Sequence, residues 1–242
     1  MAKRISETES SVIVYDDSKV SHISPAMFSA EHWASAEHVN AHVNAHVNAQ
    51  EGGRGSVLYV SHADADWVIR HYYRGGLVGK LLTDQYLWSG QQKTRCFREW
   101  QLLDDMQGLK LPAPVPVAAR YERSGVWYTA DLITLNLGKV TSLAAVFERA
   151  DRAVWEAVGS CIASFHQRGF CHADLNAYNI QVHDNGTVYI LDWDRGRRRP
   201  PGKWQQANLH RLKRSLNKES QRRHVAFDPN NWQALRHAYG RN

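Results

Sequence analysis

Asp174, Asn179 and Asp192 are residues whose types and spacing suit chemistry. The first two lie in the stretch His172-Ala173-Asp174-Leu175-Asn176-Ala177-Tyr178-Asn179. The third opens an acidic turn, Asp192-Trp193-Asp194, 13 residues after Asn179. A carboxylate, an amide and a second carboxylate in this order suit phosphoryl transfer. That reaction needs little covalent help from protein. It needs a carboxylate aimed at the attacking hydroxyl and oxygen ligands that hold Mg²⁺ on the phosphates of a nucleotide such as ATP. Asp174 reads as the base. Asn179 and Asp192 read as the metal ligands, because Mg²⁺ favours hard oxygen donors and shares them with substrate phosphates. His172 is grouped with Asp174 as a catalytic candidate. An isolated His-x-Asp would read as a helix cap beside a core histidine; Leu175, Asn179 and Asp192 in register with it outweigh that reading.

The elements that must position these residues are a helix over Asp151–Gln167, a polar loop, and a short strand over Val188–Leu191 that runs into Asp192. Val154, Val158, Cys161, Ile162 and Phe165 share one face of the helix, and Gly169 can end it in left-handed geometry. The spacing H-x-D-L-x-x-x-N followed by an acidic turn matches the catalytic and metal loops of protein-kinase-like phosphotransferases. Upstream, Gly53-x-Gly55-x-Val57 fits the start of a phosphate-covering loop, since glycines let backbone amides approach phosphate. The third glycine of the full pattern is absent, and a plain hairpin turn explains the pair equally well. Trp67–Arg70 reads as the next strand, with Arg70 where kinase-like folds carry a phosphate-contacting lysine; an arginine neutralises phosphate with a planar fork. Lys80 is the alternative contact. A helix over Lys93–Met106 carries Phe97, Trp100, Leu103 and Met106 at core spacing, with Glu99 beside them as the natural partner of Arg70. Alternating prolines make Leu111–Val117 extended. Gly125–Ile133 reads as a strand leaving a small lobe, with Ala130 to Leu132 as the hinge that meets adenine. Val12–Tyr15 reads as an edge strand and residues 26–34 as a short helix. The expected fold is α+β, a protein-kinase-like two-lobed fold. Its small antiparallel-sheet N-lobe spans residues 1–133 and its reduced helical C-lobe spans residues 134–242.

With 242 residues and 43% hydrophobic content, the chain can build a normal core. Its three cysteines, Cys96, Cys161 and Cys171, show no C-x-x-C spacing and read as buried thiols in a reducing compartment. Residues 1–10 have no apolar segment of a secretory signal, and no run reaches the ~18 apolar residues of a membrane span, so a cytoplasmic location is expected. The formal charge of +6 is unevenly placed. Residues 195–223 hold eleven of the 30 Lys and Arg residues and one of the 24 acids, which is +10; the remainder is 19 basic and 23 acidic, or −4. An anionic partner near that end follows. Leu209, Leu212 and Leu216 make a stripe there with Arg211, Arg214 and Lys218 beside it. That helix could lie on a membrane or pack its leucines on the core. One aromatic residue, Trp204, and no recognised motif make nucleic acid an unexpected partner.

Residues 38–49 repeat His-Val-Asn-Ala three times. A period of four puts His38, His42 and His46 near one helical face, which could share a metal ion. No cysteine or carboxylate repeats with them, and an expanded surface segment is the preferred reading.

The chain resembles the lipopolysaccharide kinase family. The residues that carry the resemblance are Val68–Lys80, Arg98-Glu99-Trp100, Leu111–Val117, His172–Ile180, Leu191–Arg195 and Asn208–Ser215, together spanning roughly residues 50–220. The resemblance is strongest to members that act on the 3-deoxy-D-manno-octulosonic acid (Kdo) sugar. It implies ATP- and Mg²⁺-dependent phosphorylation of that sugar at its 4-hydroxyl. The implied acceptor is a Kdo-linked lipid A precursor, at the cytoplasmic face of an anionic inner membrane. Two departures from protein kinases support a non-protein acceptor. Asn176 stands two places after Asp174, where serine/threonine kinases usually carry lysine. Only 48 residues follow Asp194, with no Ala-Pro-Glu segment. A compact atypical protein kinase, a basic nucleic-acid-binding module and an inactive kinase degenerate at Arg70 are the competing readings.

Overall fold

The computed structural model describes residues 3–34, 57–63, 65–74 and 84–241. Gly53, Gly55, Lys80 and the histidine repeat lie outside the described residues. The chain divides into two compact units, Met1–Asp104 with Val115–Asn136, and Asp105–Pro114 with Leu137–Asn242. The architecture is α+β, with an antiparallel sheet in the first unit and helices predominating in the second.

In the first unit the strands are β1 (Lys3–Glu7), β2 (Ser11–Asp16), β3 (Val57–His62), β4 (Ala65–His71), β5 (Tyr86–Leu87), β6 (Pro116–Ser124) and β7 (Trp127–Leu135). Their order is β1-β2-β6-β7-β4-β3, with β5 beside the start of β7. β2 is therefore not the edge strand expected from its sequence. It pairs with β6 on one side and β1 on the other, and the exposed β1 takes the edge. The reason lies in its residues, since Ile13 and Val14 are both buried and a solvent-facing edge would expose one of them. Residues 25–34 form a 3-10 turn, Pro25–Phe28, and the short α1, Ala30–Ala34. Met27, Phe28 and Trp33 enter the same core as Val60, Trp67, Ile69 and Ile133.

Helix α2 (Arg95–Gly108) begins after a 3-10 turn at Gln91–Lys93, so it starts later than its hydrophobic spacing predicts. Cys96, Phe97, Trp100, Leu103 and Met106 are buried, which is the predicted face.

The second unit contains β8 (Val140–Ser142), α3 (Leu143–Val146), α4 (Arg152–Gln167), β9 (Phe170–Cys171), β10 (Ile180–His183), β11 (Val188–Ile190), β12 (Arg197–Arg198), α5 (Trp204–Arg223) and α6 (Pro229–Arg241). The Asp151 carboxylate caps α4 by accepting from the Val154 N–H at 3.0 Å. The apolar face of α4 is rotated slightly from the predicted one: Trp155 is buried and Val154 only half-buried, alongside Val158, Ile162 and Phe165. Gly169 ends this segment with φ +77°. A Cβ there would lie 2.7 Å from the Arg199 carbonyl oxygen, so glycine serves both the turn and the pairing of β9 with β12. Helix α6 crosses α4 at Gly159, where a Cβ would lie 2.2 Å from the Leu235 carbonyl oxygen.

Candidate active site

The second unit brings the octapeptide and the acidic turn together through a hairpin. β10 and β11 are antiparallel, with Ile180 opposite Ile190, so Asn179 and Leu191 face each other at its open end. The Leu191 N–H donates to the Asn179 carbonyl at 2.8 Å. Asp192 follows directly, at φ +62°. A left-handed aspartate costs of order 1–2 kcal/mol, and such strain tends to persist where surrounding structure fixes it for function. Trp193 next to it is buried and donates its indole N–H to the Ile190 carbonyl at 2.8 Å, which anchors the turn.

His172 ties the loop to this strand end. Its Nε2 lies 2.8 Å from the Leu191 carbonyl, which can only accept, so Nε2 carries the proton. Nδ1 then accepts from the Asp174 backbone N–H at 3.0 Å. Burial holds the His172 imidazole below its ordinary pKa, in keeping with the neutral ring these two bonds require. This corrects the grouping of His172 with Asp174 as catalytic: the ring is 2% exposed and both nitrogens are engaged with backbone, so it braces the loop and has none left for substrate.

Asp174 itself is half-exposed, with its side chain 57% accessible. The Asn179 amide donates through Nδ2 to the Asp174 carbonyl at 3.0 Å, which leaves Oδ1 as an acceptor with no hydrogen bond among the described residues. Asn176 accepts through Oδ1 from the N–H groups of Tyr178 and Asn179, closing the loop on itself. The Asn179 amide oxygen and the Asp192 carboxylate are hard donors fixed to one hairpin end, a set that fits Mg²⁺.

Helix α5 lies along this loop. Asn208 donates to the His172 carbonyl at 2.9 Å, Arg211 donates to Asp174 Oδ1 at 2.8 Å, and Ser215 Oγ accepts from the Ala177 N–H at 3.1 Å. One turn on, the buried Glu219 accepts from Tyr178 and from Arg222. Burial alone would raise the Glu219 carboxyl; donation from Tyr178 and Arg222 outweighs it and holds the group below its usual range. Residues 208, 211, 215, 219 and 222 recur at helical spacing and form one polar face. Sequence reasoning missed this face because the leucine stripe beside it drew attention to membrane binding. The 3-4 spacing of the polar residues was the available signal.

In the first unit, Arg70 on β4 and Glu99 on α2 meet at 2.5 Å. Glu99 is 3% exposed, and the Tyr72 hydroxyl donates to the same Oε2 at 2.6 Å. Burial and the Glu99 charge push the Tyr72 phenol well above its ordinary pKa, so it stays a donor. Tyr72 is a second residue missed from sequence; it lies two places from Arg70, on the same side of an extended chain.

Ala130 and Leu132 are not a hinge. They sit in the middle of β7, where Ala130 pairs with Tyr121, and Leu132 pairs with both Ala119 and Arg70. The Ala130 carbonyl accepts from the Tyr72 N–H at 3.0 Å. Asp131 between them is buried, paired with Arg120 at 2.8 Å and His71 at 2.7 Å. Their backbone is consumed by the sheet. From this strand the chain passes out of the first unit after Asn136, not at residues 130–132.

Residues 37–239 match the model of the lipopolysaccharide kinase (Kdo/WaaP) family. A 3-deoxy-D-manno-octulosonic acid kinase of Stenotrophomonas maltophilia (strain K279a) is 40% identical over 229 residues, covering 94% of this chain and 88% of the relative. Proteins of the same description from Photobacterium damsela subsp. piscicida and Vibrio parahaemolyticus serotype O3:K6 are 36% and 34% identical, covering 96% and 94% of this chain and 95% and 93% of theirs. Among solved structures, the bifunctional kinase-methyltransferase WbdD aligns with a TM-score of 0.45 and 15% identity, over 77% of this chain and 42% of that one. The family match spans α2, the braced loop, the acidic turn and α5 alike, and the curated relatives align along nearly their full length: the chain belongs to the lipopolysaccharide kinase (Kdo/WaaP) family.

Proposed function

We propose that this enzyme transfers the γ-phosphoryl group of ATP to the 4-hydroxyl of the Kdo sugar on a Kdo-linked lipid A precursor, at the cytoplasmic face of an anionic inner membrane. The observation that carries this reading is the braced loop, in which His172, Leu191 and Asn179 hold Asp174 and Asp192 at one end of the β10–β11 hairpin. Its relatives at up to 40% identity are described as kinases of this sugar. Asp174 accepts the hydroxyl proton as the acceptor oxygen bonds to phosphorus and the bond to the ADP oxygen breaks. Asn179 and Asp192 would hold Mg²⁺, which when bound neutralises charge on the phosphates. In the other unit, Arg70 is the phosphate contact, kept in place by Glu99 and Tyr72. The exposed cations of α5 favour an anionic surface near the acceptor.

An assay of phosphate transfer to a Kdo-linked lipid A precursor, with generic protein acceptors alongside, tests this. The lipid acceptor should be used and the proteins ignored. Asp174→Asn should keep the fold and lose on the order of 10²-fold or more in turnover. Asp192→Ala should abolish the Mg²⁺ dependence of ATP binding in calorimetry. Near-normal turnover in folded Asp174→Asn, or equal use of protein acceptors, would sink the assignment.

A further inference from the structure

We infer that Arg211, on α5, meets the transferring phosphoryl group and takes the place of the lysine that this loop lacks. The inference rests on the role proposed for Asp174. The loop offers Asn176 two places after Asp174, and that side chain is spent on the loop: Oδ1 accepts from two backbone N–H groups and Nδ2 donates to the Asp174 carbonyl at 3.0 Å. No cation within the octapeptide stands near the reacting position. α5 supplies one from outside. Arg211 Nη1 donates to Asp174 Oδ1 at 2.8 Å, and this is its contact among the described residues.

The helix beneath Arg211 is fixed and the side chain is not. Leu209 and Leu212 on either side are fully buried, and Asn208 and Ser215 bond to the loop backbone at 2.9 and 3.1 Å. The Arg211 side chain is 46% accessible and grips one carboxylate oxygen through one of its nitrogens. Most of its five N–H donors are therefore available. An acceptor hydroxyl within hydrogen-bond reach of Asp174 puts the phosphorus one bond further on, within a swing of the same guanidinium. As the acceptor O–P bond forms and the bond to ADP breaks, charge spreads over the three equatorial oxygens. A planar cationic fork beside them matches that charge, and preorganised donors of this kind act mostly on the rate.

Arg211→Gln should fold, bind Mg·ADP like the parent and lose about 10²-fold in turnover with little change in KM for the lipid acceptor. Arg211→Lys should recover part of that loss. The decisive readout is binding of ADP with aluminium fluoride, a mimic of the flat transferring group, in the presence of acceptor. The parent should bind the pair more tightly than ADP alone, and Arg211→Gln should lose about tenfold or more of that gain. The same loss should appear in an Asp174→Asn background, where a residue acting only through the carboxylate has nothing left to position. Turnover within about threefold of the parent in Arg211→Gln would overturn the inference. So would a retained aluminium fluoride gain in the Asp174→Asn background. Full turnover in Asp174→Asn alone would instead overturn the underlying reading, and the aluminium fluoride arm would still report on Arg211.

Discussion

Three histidines near the loops of this enzyme have their protons set by what surrounds them. His166 lies beside the helix that braces the 172–179 loop, donating through Nε2 to Asn208 at 3.3 Å and accepting through Nδ1 from the Tyr239 hydroxyl at 3.0 Å. Burial pulls its pKa from 6.5 down to about 4, and lowers that of His172 too. A histidine kept neutral when folded binds fewer protons than the unfolded chain below pH 6.5. Stability should therefore fall as pH drops from 6.5 towards 4, by up to about 3 kcal/mol for His166 alone. His71 has the opposite sign. Its bond to Asp131 raises its pKa, so its contribution is complete below 6.5 and is lost as pH rises through the higher folded value. Denaturant unfolding measured across the acid window should show the decline in the parent and a flatter slope in His166→Gln. Identical slopes would show that His166 is not the group responsible.

At the scale of elements, α4, α5 and α6 form the support of the loop. α5 is amphipathic in two senses. Its leucines point into the core at 0% exposure, and its polar face grips the octapeptide. Helix α6 reaches α4 only because position 159 is glycine. Gly159→Ala gains helix propensity but puts a methyl group 2.2 Å from a backbone oxygen, which cannot rotate away. Overpacking of this kind costs ~1–3 kcal/mol. The variant should lose about that much stability in denaturant unfolding, and truncating the Leu235 side chain should not restore it, because the opposing atom is backbone. A neutral or stabilising Gly159→Ala would mean that α6 shifts freely on α4.

For the whole molecule, charge is the organising asymmetry. Residues 195–223 carry +10 and the remainder −4. The leucines of α5 are unavailable to lipid, so attraction to a membrane has to come from exposed cations such as Lys213, Arg214 and Lys218. No helix among the described residues is long and apolar enough to cross a bilayer. Each cation near an anionic surface contributes about 1 kcal/mol, and salt screens it. Arg214→Gln with Lys218→Gln should weaken co-sedimentation with phosphatidylglycerol vesicles at low salt by on the order of 30-fold. Arg211 is left intact in this variant because it contacts Asp174. Unchanged binding would remove α5 from the membrane surface.

The residues proposed for the chemistry could be picked out of the chain before any fold was known. Asp174, Asn179 and Asp192 are spaced by local rules, a loop after a helix and a turn after a strand, which short-range sequence carries. The helix expected over Asp151–Gln167 forms over Arg152–Gln167 with Asp151 as its cap, and the strand expected over Val188–Leu191 forms over Val188–Ile190, for the same reason. The pairing of Arg70 with Glu99 needed only the order strand, then helix. What tertiary structure decided lies at long range. β2 became an interior strand because β1 folds back over it. Ala130 and Leu132 became sheet interior because strands on both sides claim their backbone. His172 became a brace because Leu191, 19 residues away, supplies the acceptor. Arg211 reaches Asp174 across 37 residues because three leucines bury α5 against the core, and no local pattern encodes which side of that helix meets the loop.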